Sequence, residues 1–200
     1  SLIIAFTAVG ACLFIGVVYG GISGYFGGAL DNVMMRFIEI LNGIPYLIIV
    51  ILLMTVMKGG IVSMIVAYTL VGWVGMARLV RGQMMSLKEQ EFVVAAKSMG
   101  ASSSRIIFRH LVPNILSIVI IQITLQVPSA IFTEAFLSFL GLGVPIPNTS
   151  WGVLAQDGVR VLSLYPTQLI IPSIFICITM LSFNLLGDSL RDAFDPRLRK

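Results

Sequence analysis

Five apolar stretches, at residues 2–23, about 38–57, 61–80, 111–133 and 168–187, constrain this chain more than any other feature. A helix that crosses the hydrocarbon core needs about 20 mostly apolar residues, and every backbone N–H and C=O must be satisfied within the segment. Only 11% of the 200 residues are charged and 58% are hydrophobic, where a soluble domain carries roughly a quarter charged. The mean hydropathy is +1.00. Most apolar side chains must therefore face lipid or another membrane helix. The expected fold is an all-α polytopic membrane protein, a single transmembrane domain over 1–200. The second stretch is the least regular, with Glu39 and Asn42 in its first turns and Pro45 after them. Asp31 to Leu41 reads as a separate amphipathic turn at the interface.

Orientation follows from where the basic residues fall, because cytoplasmic connections carry the excess of Lys and Arg. Placing the 81–111 connection inside puts Arg36, Arg78, Arg81, Lys88, Lys97, Arg105, Arg109, Arg191, Arg197, Arg199 and Lys200 on that side. Only Lys58 and Arg160 remain outside. The C-terminal tail, 188–200, is then cytoplasmic and Ser1 is outside, so a further helix is expected upstream of it. The charge reports orientation, and nucleic acid is not an expected partner. Cys12 and Cys177 both lie in apolar runs and suggest no disulfide framework.

Glycines at 16, 20, 24 and 28 recur every fourth residue along the first helix. That spacing puts Gly16, Gly20 and Gly24 on one face, where a neighbouring backbone can approach closely. It predicts a packing seam, within the chain or between subunits. The 139–167 segment holds Pro145, Pro147 and Pro166, four glycines and Trp151, so it cannot be one straight helix. It is expected outside the membrane as a structured loop or short helix, with Trp151 at headgroup level.

Enzyme chemistry finds no support. No HExxH, Walker glycine loop or GxSxG is present, and His110 is the single histidine, whereas metal sites cluster three or four ligands. No metal ligands are therefore assigned. Glu39, Asn42, Gln122, Gln126, Glu134 and Asn184 are the polar residues within apolar segments. Such groups line pathways or bond across helices, although Glu39 and Glu134 fit interfacial helix ends equally well.

The charged stretch EFVVAAKSMGASSSRIIFRHLVPN, residues 91–114, lies between two membrane segments. Lys88 to Met99 is built of good helix formers, Gly100 stands where a left-handed C-cap is wanted, and Ser102 or Ser103 supplies the next N-cap. The spacing predicts a short helix, a hard turn and a second helix that feeds into the bilayer, with Pro113 kinking or starting it. Phe92, Val93, Val94 and Met99 give the short helix an apolar surface, fit for a partner's groove or for the protein's own helix ends.

Residues 91–96, Gly100 and Leu111-Val112-Pro113-Asn114 resemble the coupling loop of bacterial ABC-importer permeases. In that pattern Glu-Ala-Ala is followed by three residues, Gly, nine residues and Ile-x-Leu-Pro. Ala95, Ala96, Gly100 and Pro113 match in register, while Val94, His110 and Val112 stand for its Glu, Ile and Leu. His110 before Leu111-Val112-Pro113 is typical of the peptide and nickel branch. Asp31 to Arg36 with Gly43-Ile44-Pro45, Glu134 to Val144 with Ser150-Trp151-Gly152, and the tail Phe183 to Leu198 extend the resemblance over nearly the whole chain.

The resemblance implies a type I ABC-importer permease fold with five transmembrane helices here and a sixth missing at the N-terminus. It implies a C-type permease subunit of an oligopeptide or dipeptide importer in the bacterial plasma (inner) membrane. Its partners would be a homologous B-type permease, two cytoplasmic ATPases that hold the ATP and Mg, an extracytoplasmic substrate-binding protein, peptide and lipid. This chain itself would bind no cofactor and catalyse no reaction. Glu91, Phe92, Ala95, Ala96, Lys97, Gly100 and Ala101 become the expected ATPase-coupling residues, with Gly100 setting the angle. A nickel importer of the same branch is the near alternative. An ATP-independent channel or secondary transporter is the distant one, as is a structural scaffold.

Overall fold

The computed structural model describes residues 1–145 and 147–194, and among these no strand occurs. Helix α1 (Leu2–Phe26) leads through Gly27 into α2 (Gly28–Asn42) and α3 (Tyr46–Val56). There follow α4 (Ile61–Leu87), the short α5 (Glu91–Ser98), the long α6 (Ser103–Leu142), α7 (Trp151–Arg160) and α8 (Thr167–Phe194). Four of these, α1, α4, α6 and α8, are long and apolar enough to cross a membrane, and α2 with α3 makes a fifth if the bent pair counts as one span. The end of the tail, Asp195 to Lys200, lies outside the described residues, and with it Arg197, Arg199 and Lys200 of the charge count.

The helix expected over 38–57 is broken. α2 ends at Asn42, α3 begins at Tyr46, and the two bend by 77°. Pro45 accounts for the break: it has no N–H to donate, and its ring disfavours a helical conformation for Ile44. α2 is thus a 15-residue helix in its own right, longer than the turn expected over 31–41. Other bounds shift too: α6 runs on to Leu142, into the segment expected as a loop from 139, and α8 runs on to Phe194, into the tail expected from 188. α4 runs on to Leu87 and carries Arg78 and Arg81 within it. α6 begins at Ser103, so Pro113 sits inside a continuous helix, directly after a wide π-helical turn over Ile106–Leu111.

α1 packs against α4 along its glycines. A Cβ built on Gly16 would stand 2.6 Å from Met76 Cβ, and one on Gly24 would stand 2.6 Å from the Arg81 carbonyl oxygen. On Gly20 it would collide with the carbonyl oxygen of Ala77. Without side chains the two backbones meet directly, and dispersion holds them. The seam is therefore a contact within this chain. Gly28 does not extend it: a Cβ there meets nothing, and its φ of +61° makes it part of the turn between α1 and α2. α8 is the least covered span, exposing Ile170, Ile174, Phe175, Ile178, Leu181 and Leu185, as a helix facing lipid does.

At the end of the bundle that carries few basic residues, α7 is fastened to both neighbours. A Cβ on Gly152 would fall 2.6 Å from Ala135 Cα, and one on Gly158 would fall 2.6 Å from the Gln168 backbone. Ser150 caps α7, its Oγ accepting from Val153 N at 3.2 Å. Ser138 Oγ donates to Glu134 Oε1 at 2.8 Å and lies 3.4 Å from Ser150 Oγ. The motif spanning Glu134 to Gly152 is therefore the joint between α6 and α7. Glu134 is buried there, with Oε2 unpartnered, rather than exposed at a helix end. The Trp151 ring is half-buried and stacks on Phe175, with centroids 6.2 Å apart.

Candidate functional site

α5 sits at the Arg-rich end of the bundle, in the connection between α4 and α6, which is shorter than the expected 81–111 because both helices run into it. Gln90 is its extended N-cap, Glu91 lies in its first turn and Lys97 in its last, so both charges oppose the helix dipole favourably. Gly100 ends it with φ +78°. Gly100 N donates to Lys97 O at 2.9 Å and Ala101 N to Ala96 O at 3.0 Å, the paired bonds that satisfy a helix's last carbonyls. The chain then turns, and Ser102 Oγ accepts from Arg105 N at 3.4 Å to open α6.

One face of α5 is anchored to the protein. Val93 is wholly buried, packed in a cluster with Met84 of α4 and Ile106, Leu111 and Ile115 of α6, and Ala96 is only 4% exposed. Val93 and Ala96 are three residues apart in the helix, which places them on the same side. The opposite face is open: Phe92 is 41% exposed and Met99 82%, with Val94 and Ala95 also uncovered. Lys97 Nζ lies 5.9 Å from the centre of the Tyr25 ring at the end of α1. The Phe92 and His110 rings are 6.4 Å apart.

The seven expected coupling residues thus divide. Glu91, Phe92, Ala95 and Lys97 lie on the open side, and Gly100 forms the turn. Ala96 and the half-buried Ala101 pack toward the core around α4 and α6, so neither offers the outward contact expected of it. Val94 and Met99 join the open face instead. The three-residue spacing of Val93 and Ala96 was the signal that separates the two sides. Phe108, 72% exposed in the π-helical turn of α6, is a further uncovered aromatic at this end.

Behind α5, polar bonds tie the ends of three helices. Lys88 Nζ donates to Gly24 O at 3.0 Å. Arg81 donates from Nε and Nη2 to the two carboxylate oxygens of Asp31, at 2.5 and 2.6 Å, and Ser23 Oγ donates to Asp31 Oδ1 at 2.5 Å. α5 thus packs on α4 and α6 through buried side chains, and the network joins the ends of α1, α2 and α4 beside it. Among the described residues, no three His, Cys, Asp or Glu side chains come together as a metal site would require.

Comparison with known proteins agrees with this architecture. Residues 16–200 match the family described as binding-protein-dependent transport system inner membrane component. The chain is 52% identical over 200 residues to the oligopeptide transport system permease protein OppC of Bacillus subtilis, covering 100% of this chain and 66% of the relative. It is 54% identical over 187 residues to the dipeptide transport system permease protein DppC of the same organism, covering 93% of this chain and 58% of that one. The chain thus spans less than two thirds of the length of each. Among solved structures, a chain of the MetNI methionine ABC transporter in an inward-facing conformation superposes with a TM-score of 0.68, over 94% of this chain and 92% of that one. At 17% identity that likeness is one of fold, and the fold is that of a type I importer permease. The chain belongs to the family of binding-protein-dependent transport system inner membrane components.

Proposed function

We propose that this chain is a permease subunit of an ATP-driven importer of oligopeptides or dipeptides, forming half of the translocation pathway. The similarity to OppC and DppC supports the substrate class. The observation that carries the mechanism is the two-sided α5, anchored through Val93 and Ala96 and open through Phe92, Val94, Ala95 and Met99. An apolar helix face uncovered at a cytoplasmic surface suits a groove on a partner.

In this reading the partner is one of two cytoplasmic ATPases, which hold ATP and Mg. Closure of the ATPase pair moves α5, Gly100 keeps the angle to α6, and the spans tilt to alternate access. A homologous permease completes the pathway, and an extracytoplasmic binding protein delivers peptide near α7. The charge distribution supports a cytoplasmic C-terminus in the plasma membrane. The test is peptide uptake by the reconstituted importer. Charge placed on the open face of α5 should abolish uptake and ATPase co-purification together. Uptake that persists without ATP would instead point to a secondary transporter.

A further inference from the structure

An open cleft of about 690 Å³ lies between α2 and α4, lined by Asn32, Arg36, Ile38, Glu39, Arg78 and Arg81. Two of its three guanidinium groups have carboxylate partners. Arg81 grips Asp31, as described, and Arg36 reaches Glu39 at 2.9 Å, although that pair is 82% and 56% exposed and so is heavily screened. Arg78 forms no ion pair among the described residues. With the Asn42 amide turned to face it, the amide oxygen accepts from Arg78 Nη1 at 2.7 Å and Nη2 at 2.5 Å. Arg78 is exposed, and an amide orients a guanidinium but does not neutralise it, so its charge faces the open cleft with water and no carboxylate as its partner.

Depth and the neighbouring surface point to the missing anion. From Ile61, ~20 residues of α4 traverse the hydrocarbon core, which brings Arg78 to within a turn of the far headgroup boundary. Beside the polar stripe of Asn32, Arg36 and Glu39, α2 exposes Val33, Phe37 and Ile40 at the same helical spacing, and Ile44 in the following turn is also exposed. The site thus sets an unpaired guanidinium next to an uncovered apolar track at a membrane surface. We infer that this cleft binds the phosphate of an anionic phospholipid, with the acyl chains lying along α2 toward α3. A guanidinium fork matches phosphate oxygens two at a time, and basic pockets between spans on the cytoplasmic side are suited to such headgroups. The inference uses the orientation proposed above only to name the inner leaflet.

The test is native mass spectrometry of the assembled transporter drawn from vesicles of phosphatidylcholine with phosphatidylglycerol. Arg78→Gln should lower retained phosphatidylglycerol about fivefold, Arg78→Lys should keep more of it, and Arg160→Gln, on the opposite side, should change nothing. Equal retention in Arg78→Gln and Arg160→Gln would overturn the site. Displacement by added inorganic phosphate as readily as by lipid would assign the cleft to a soluble anion. Unchanged retention together with a lost preference for peptides bearing a free carboxylate would assign it to cargo; either result overturns the lipid. Should Arg78→Gln fail to assemble, Asn32→Cys in a Cys177→Ser background answers the same question. Its reaction with a water-soluble thiol reagent should be slower in phosphatidylglycerol vesicles than in phosphatidylcholine alone, and equal rates count against the site. Lipid retention is read without transport, so it stands or falls separately from peptide import.

Discussion

Arg81 on α4 and Asp31 on α2, 50 residues apart in sequence, form a two-pronged ion pair in which the carboxylate is buried. Removing the cation leaves that carboxylate uncompensated, at a cost of about 3 kcal/mol. Arg81→Met should lower the thermal stability of the assembled transporter, and adding Asp31→Asn to it should recover a substantial part of the loss. A single and double variant that melt together would show that the pair contributes nothing beyond the arginine's packing.

The α1–α4 seam makes the position of a leucine decisive. Gly20→Leu drives a side chain into the Ala77 carbonyl, so the helices must separate and the yield of folded protein should collapse. Val18 is exposed beside it, and Val18→Leu should be nearly silent because lipid accepts leucine. Membrane-inserted, protease-resistant protein is the readout. Equal yields from the two variants would mean that α1 and α4 do not meet through Gly20.

Fourfold glycine spacing was legible in the sequence because it follows from helix periodicity alone. The partner helix was not, since a stripe of small residues accepts any backbone. The left-handed turn at Gly100 was legible for a similar local reason. The break at Gly43–Pro45 was misjudged because apolar composition continues through it, and hydropathy does not register the lost N–H of Pro45. The inward turn of Ala96, the burial of Glu134 and the Asp31–Arg81 pair all depend on contacts between distant helices. No window of sequence carries those.

α7 owes its place to Gly152 against Ala135 and to the Ser150 cap. Ser150→Ala should cost about 1 kcal/mol, and Gly152→Val should detach the helix. With Cys12 and Cys177 replaced, Asn148→Cys or Thr149→Cys should react with an impermeant thiol reagent from outside intact cells. Labelling confined to permeabilised cells would invert the topology. Adding Gly152→Val should speed the reaction, and an unchanged rate would count against the joint.

Adjacent alanines on α5 should fail in different ways. Ala96→Glu buries a charge against α4 and α6 and should prevent folding, a loss of several kcal/mol. Ala95→Glu points outward and should leave insertion intact while abolishing uptake. Gly100→Pro should also abolish uptake, because φ +78° is closed to proline. Normal uptake in Ala95→Glu or Gly100→Pro would remove α5 from the coupling path.

The most direct measurement is photo-cross-linking from α5 in the reconstituted transporter, with benzoylphenylalanine placed at Met99 or at Val93. Met99 is on the open face and Val93 on the buried one. The predicted result is an adduct between position 99 and the ATPase subunit that changes in yield with ATP, and none from position 93. A transporter that imports peptide normally yet gives no ATPase adduct from position 99 would contradict coupling through this helix.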